Sequence, residues 1–268
     1  MKHLSTTPQP PSPLHPVIPS SCHPFILSSL HLIILSLFLA ACGGSDIQAM
    51  IPGPAPWNNG EVSTYRIIDL NDAYAGIGTF YIMAGSTLVG PDGWTITREI
   101  KAQGEDETVV VQTSAKGVRP KWSMLIRNDG GGRQAVETTY DGSDANLVLT
   151  TRRDVVSYER IQVPSDVRDQ RTLLLLARSL PLTKGYATRF NSFLPVAGLL
   201  DRITLTVKNQ QTISVDAGTF DTWYVTLNTT DSQIEAWIGV EAPYPVIKFV
   251  EGRSGATFEL SDFQSGTE

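Results

Sequence analysis

From residue 61 onward the chain is a succession of short runs rich in Val, Ile, Thr and aromatic residues, several alternating apolar with polar and each ending in turn residues. Successive side chains of a strand point to opposite faces, so such runs predict antiparallel strands with one face buried. They fall at 62–70, 78–84, 94–101, 108–115, 121–127, 134–140, 146–151 and 155–163, then at 187–193, 202–208, 211–215, 220–229, 233–239, 246–250 and 257–263. Between them Gly90-Pro91-Asp92-Gly93, Asn128-Asp129-Gly130-Gly131-Gly132 and Asp141-Gly142-Ser143-Asp144 supply residues that tolerate positive φ, as hairpin turns require. Asn209-Gln210 reads as a two-residue turn, Asp216-Ala217-Gly218 as a sharp bend, and residues 228–231 as the turn after it. Pro243 and Pro245 flank Tyr244 and point to a sheet edge or a bulge, because proline cannot donate to a ladder.

One segment breaks this rhythm. Residues 165–180 carry leucines at 173, 174, 175, 176 and 180, with Asp166 and Asp169 early, Arg178 late and Pro181 immediately after. Ser165 suits a helix cap, the acids suit the positive helix start, and Pro181 stops continuation. Four consecutive leucines are apolar nearly all round, which predicts a core helix packed on the sheet rather than one touching lipid.

The residues ahead of the β-rich region have a different character. An apolar run at 25–41 ends in Leu39-Ala40-Ala41-Cys42 and is followed by Gly43-Gly44-Ser45. It is somewhat shorter than the roughly 20 residues of a comfortable membrane span, and small residues closing on a cysteine suit the pocket of lipoprotein signal peptidase. Residues 1–41 therefore read as a lipoprotein signal peptide, with Cys42 as the lipidated first residue of the mature chain. The long Pro- and Ser-rich stretch before the run, with Lys2 as its sole basic residue, suggests a start downstream of Met1. Residues 42–60, with Gly43, Gly44, Pro52, Gly53, Pro54 and Pro56, read as a tether, and 61–268 as a single β-rich domain. Trp57 is expected to dock on that domain rather than sit among lipid headgroups.

Composition then narrows the chemistry. All four histidines precede Cys42, as does Cys22, so the mature 227 residues of the 268 keep no histidine and only the lipidated cysteine. That excludes a histidine-based triad, a His or Cys zinc site, a disulfide framework and a thiol nucleophile. The mature chain has 20 basic against 27 acidic side chains, which argues against nucleic acid as a partner and leaves membrane attachment to the lipid on Cys42. No cofactor or metal is implied.

In the C-terminal half, Val215-Asp216-Ala217-Gly218-Thr219-Phe220-Asp221-Thr222-Trp223, Glu235-Ala236-Trp237, Pro245-Val246-Ile247-Lys248-Phe249 and Phe258-Glu259-Leu260 together resemble bacterial envelope proteins of the domain-of-unknown-function 3108 family. The resemblance covers roughly residues 165–263, with the upstream strands alike only in texture. It implies a curved antiparallel sheet or half-barrel, as in periplasmic lipoprotein carriers, with the helix on the concave face, and it brings no catalytic residues. The fold expected is thus all-β with one helix, a curved antiparallel sheet forming a half-barrel or open barrel.

Candidate sites follow from that shape. A sheet that curves without closing leaves a concavity, and Trp94, Trp122, Trp223, Trp237, Tyr244 and Phe249 are the aromatics expected to line it for a lipid or other apolar small molecule. A structural or assembly role with a solid core is the first alternative. A carboxylate-dependent glycan hydrolase using pairs such as Glu235 with Glu241 or Asp216 with Asp221 is the second, although solvated turn acids explain those residues more simply. The loops 103–107 and 141–144 are acidic, but they lack calcium-loop spacing and read as hairpin tips. Arg152-Arg153 and the arginines at 168 and 171 alternate with acids, as ordinary surface pairs do. The function expected is a non-catalytic, extracytoplasmic lipoprotein on the cell or outer membrane.

Overall fold

The structure is a computed structural model in which residues 47–267 are described. Residues 1–46, with the expected signal peptide and Cys42, lie outside the described residues. In chain order the strands are β1 (Ile47–Gln48), β2 (Glu61–Ile68), β3 (Tyr74–Ser86), β4 (Gly90–Ala102), β5 (Glu105–Thr113), β6 (Pro120–Asp129), β7 (Gly132–Asp141), β8 (Asp144–Thr150), β9 (Val156–Gln162) and β10 (Arg168–Asp169). A 3₁₀ turn, Gln170–Thr172, leads into the helix α1 (Leu173–Arg178). Then come β11 (Ala187–Leu194), β12 (Leu199–Val215), β13 (Gly218–Asn228), β14 (Gln233–Gly239), β15 (Val246–Val250) and β16 (Thr257–Gln264).

The sixteen strands of the described residues belong to one sheet, in the order β1-β11-β12-β13-β14-β15-β16-β2-β3-β4-β5-β6-β7-β8-β9, with β10 also on β11. Within β2–β9 and within β11–β16 consecutive strands pair as antiparallel hairpins, and the two runs join where β16 lies beside β2 through contacts such as Phe258 with Ile67. The two-residue β1 and β10 run parallel to β11. Strand twist accumulates along so long a path and curls the sheet on itself, yet it stays open, because among the described residues β9 pairs with β8 alone.

The inward faces make the core. Tyr65, Ile67, Ile82, Ile96, Leu205, Val225, Leu227, Ala236, Ile238 and Leu260 are buried together with Leu173, Leu175 and Leu176 of α1. A second cluster of Val136, Tyr140, Ala145, Leu147, Val163, Val167 and Phe193 joins β7 and β8 to β11 across the open side of the curl. Contact across that seam holds a half-barrel shape without closing the ladder.

Three local expectations change. Asn209-Gln210 is no turn: β12 runs through it with a bulge between Val207 and Gln210, because β13 supplies partners on both sides. Gly90-Pro91-Asp92-Gly93 belongs to β4, and the chain reverses at residues 87–89. A side chain at Gly93 would come within 2.8 Å of the Thr113 carbonyl oxygen, so glycine serves close strand approach there. The helix is far shorter than 165–180, since pairing of Arg168 with Ser192 and Asp169 with Phe193 draws its expected first turn into the sheet. Asp169 instead caps the 3₁₀ turn, accepting from the Arg171 backbone N–H at 3.0 Å.

The described part of the tether also differs from a free spacer. From Ile47 it lies on the domain: Met50, Ala55 and Trp57 pack with the core, and the Gly53 N–H donates to the Ser179 carbonyl at 2.7 Å. Trp57 is 3% exposed and meets Trp94 edge-to-face at 5.9 Å. Proline and glycine deny this stretch regular structure but leave its apolar side chains free to be buried.

Candidate ligand cavity

Between the curled sheet and α1 lies a cavity of about 590 Å³. Ile67, Phe80, Ile82, Ile96, Ile100 and Leu125 of β2–β6 form one wall, Leu173, Leu174 and Leu175 of α1 another, and Phe249 and Phe258 of β15 and β16 the floor. Phe249 and Phe258 stack at 4.3 Å, and Tyr65, Phe80 and Phe249 make a further aromatic cluster with centroids 5.0–6.0 Å apart. Ser232 and the 251–254 turn border it as well.

Set into this apolar lining are charged groups carried by the inward register of the strands. Glu107 accepts from Arg98 at 2.5 Å and from Arg127 at 2.6 Å, and Arg127 also meets Glu105 at 2.6 Å. Burial pushes the Glu107 carboxyl up, but the adjacent Arg98 and Arg127 outweigh it and hold it below the usual range. Elsewhere on the lining Arg178 grips Glu61 with two bonds of 2.6 and 2.9 Å, both side chains being at most 2% exposed. Arg178 also donates to the Pro243 carbonyl at 2.7 Å and lies 5.5 Å from the Trp57 ring centre.

The third charged group is Arg171, immediately ahead of α1. Its Nε and Nη2 bond Asp169 at 2.8 Å, and Nη2 reaches the Ser123 hydroxyl at 2.7 Å. Tyr140 donates to the same Asp169 carboxylate at 2.8 Å. Burial would raise the Asp169 pKa, and Arg171 and these hydrogen bonds turn the balance so that it is lowered. Burial first, then the Asp169 charge, push the Tyr140 hydroxyl well up, so it remains a donor.

The six aromatics singled out from the sequence are dispersed. Phe249 borders the cavity. Trp94 and Trp223 point inward but are spent in packing, as is Tyr244 in the turn after β14. Trp122 faces outward and donates to Glu137 at 2.7 Å. Trp237 is on the outer face too, stacked on Tyr224 at 5.0 Å and bonded to Gln211. The acids proposed for hydrolysis also lie away from the cavity: Asp216 meets Arg66 at 3.6 Å, Asp221 accepts from Thr212, Glu235 accepts from Gln233, and Glu241 is exposed. Residues 103–104 and 142–143 are hairpin tips, and Arg152 pairs with Asp129 at the surface. Arg168 is buried and the Arg171 side chain is turned inward onto Asp169 instead of forming a surface pair, because β10 joins the sheet beside β11 and the 3₁₀ turn follows directly. Burial and the nearby Arg119 bring Arg168 down to about 10.

The charged lining has a legible signature in the sequence. Arg98 sits in phase with Trp94, Ile96 and Ile100, Glu107 with Val109 and Val111, and Arg127 with Leu125. A charge in the apolar phase of a strand is driven inward by its neighbours, and must be paired there.

Fold and cavity together define a barrel-like protein, an open curled sheet built around an interior chamber. The chain belongs to the family described as protein of unknown function, DUF3108, whose profile matches residues 64–254. That match reaches far upstream of the resemblance at 165–263, running from within β2 through β15 and ending before β16. Among solved structures, the beta-barrel-like protein of domain of unknown function DUF1849 from Brucella abortus is 9% identical and superposes with a TM-score of 0.52, covering 81% of this chain and 98% of that one. A candidate lipoprotein from Parabacteroides distasonis is 10% identical with a TM-score of 0.28, over 81% of this chain and all of the other. A candidate exported protein with a YmcC-like fold from Bacteroides fragilis is 9% identical with a TM-score of 0.29, over 80% of this chain and 99% of the other. Comparison with curated proteins gave no match.

Proposed function

We propose that this chain is a lipid-anchored extracytoplasmic protein that holds an apolar ligand in the chamber beneath α1 without transforming it. The observation that carries this reading is the chamber itself. At about 590 Å³ it falls within the range of small-molecule sites, whereas a solid-core structural protein packs its interior with few voids larger than a water. Its lining is mainly aliphatic and aromatic, and water held there would find few partners away from the paired charges. The reading of residues 1–41 as a signal peptide ending before Cys42 supports a position outside the cytoplasmic membrane, where acyl-chain ligands are abundant.

Filling the chamber tests this. Leu174 of α1 is half-buried and borders the cavity, so Leu174→Trp adds bulk into open space rather than into packed core. Native mass spectrometry of the purified protein is expected to show a co-purified apolar species, and Leu174→Trp to lose it while keeping its far-ultraviolet circular dichroism. A wild type that carries nothing, and takes up nothing from membrane lipid extract, overturns the reading and favours a structural role.

A further inference from the structure

The end of the curl where the described chain begins differs in charge from the end where the chamber opens. Four segments meet at the first. Pro52 lies 3.4 Å from where a Gly117 side chain would begin, which joins residues 47–53 to the β5–β6 turn. The β3–β4 turn adjoins β5 through the Ser86 hydroxyl, which donates to Gln112 at 3.0 Å, and the 181–186 turn runs into Ala187, the partner of Ile47. Residues 47–53, 85–92, 114–121 and 181–186 carry Lys116, Arg119, Lys121 and Lys184 against one acid, Asp92. All four cations are exposed, and among the described residues none is in an ion pair. Ile51 and Leu88 stand out beside them, 73% and 61% exposed. The opposite end has the reverse balance: turns 69–75, 101–106, 195–202, 229–232 and 251–256, each contributing to the chamber lining, carry seven acids against three basic side chains.

We infer that the protein rests on its anchoring membrane through the first end, its four cations meeting anionic lipid headgroups and Ile51 and Leu88 entering the interface, so that the chamber opens away from that bilayer. The inference rests on the lipid anchor proposed at Cys42 and specifies which face of the domain the lipid surface meets. Chain length supports it. The five residue steps from Cys42 to Ile47 span at most about 18 Å. From Ala187, beside Ile47, β11 runs seven steps to Leu194 on the chamber lining, about 23 Å. The tether is therefore too short to let the mouth lie flat on the bilayer that holds Cys42. Charge acts in the same sense, because unpaired surface cations are drawn to anionic headgroups and the acidic rim of the mouth is repelled by them.

With Cys42 lipidated, the mature chain keeps no free thiol, so one introduced cysteine carries a unique dye. Leu88→Cys and Leu70→Cys are compared, both at exposed turn positions, the second against Gly255 in a turn beside the mouth. Each lipidated protein is labelled with a nitrobenzoxadiazole dye and placed in vesicles of phosphatidylethanolamine and phosphatidylglycerol that contain a headgroup nitroxide lipid. Quenching is expected to be several-fold stronger at 88 than at 70. Adding Lys116→Gln and Lys184→Gln should lower the docked-to-free ratio about fivefold for each lysine removed, and vesicles of phosphatidylcholine alone should weaken the quenching at 88 likewise. Equal quenching at the two positions, or stronger quenching at 70, would overturn the inference and leave the anchor standing. Quenching at 88 that ignores both the lysines and the lipid charge would overturn the headgroup contact. A purified protein that carries no acyl chain and does not sediment with the vesicles would instead sink the anchor reading itself.

Discussion

Single charged residues are what distinguish this interior from an ordinary apolar core. Glu107 and Asp169 are buried carboxylates whose pKa values are held down by arginine partners despite desolvation. A depressed folded-state pKa contributes stability that is present above the unfolded value and lost as pH falls through the folded one. The unfolded values are about 4.3 for Glu and 3.9 for Asp, so the loss begins near pH 4 and continues below it. The urea midpoint should therefore hold steady from neutral to mildly acidic pH and fall below pH 4. In Glu107→Gln the midpoint should be lower at neutral pH, because Arg98 and Arg127 lose their shared partner, and the acid-side drop should be smaller. An unchanged acid-side drop would mean that Glu107 is not part of it.

At the level of elements, the segment before β2 behaves as part of the body. Its anchor is Trp57, buried against Trp94 with Arg178 beside its ring. The same Arg178 holds Glu61 at the start of β2, so the segment, the end of α1 and the first strand of the curl meet at one point. Trp57→Ala is expected to destabilise the domain by about 3–5 kcal/mol, the usual range for a buried tryptophan. Amide exchange in residues 47–60 should rise with it. A change under about 1 kcal/mol would show that Trp57 covers the domain without supporting it.

For the whole molecule, the lipid anchor proposed at Cys42 would decide where the chamber works. Two or three acyl chains on Cys42 would hold it firmly, since each buried methylene contributes about 0.8 kcal/mol and a single chain is marginal. Cys42→Ser should keep the folded domain but abolish palmitate-analogue labelling and processing at this site, moving the protein out of the membrane fraction. A serine variant that still labels, or stays tethered after cleavage, would contradict this account of residues 1–42.

Local chemistry was enough for the strands and most turns. The apolar and polar pattern located nearly all of them, and the resemblance around Val215–Trp223 led to the family, because hydrophobic periodicity and turn residues act over a few positions. The fate of residues 165–169 required the fold: a capping serine and early acids favour a helix there, but backbone pairing with β11 outweighs that weak preference. The same holds for Asn209-Gln210, where a two-residue turn gives way to a bulge once β13 offers partners along the whole of β12. Pattern also says which face a residue points to, but not which strands meet across the curl. Trp122 and Trp237 read as candidate lining and lie on the outer face, whereas Arg171, which reads as a surface charge, borders the chamber bonded to Asp169 and Ser123. Residues 48 positions apart had to come together before Ser123 and Arg171 could bond, and a long-range contact of that kind is set by how the sheet closes on the helix, not by any run of neighbouring residues.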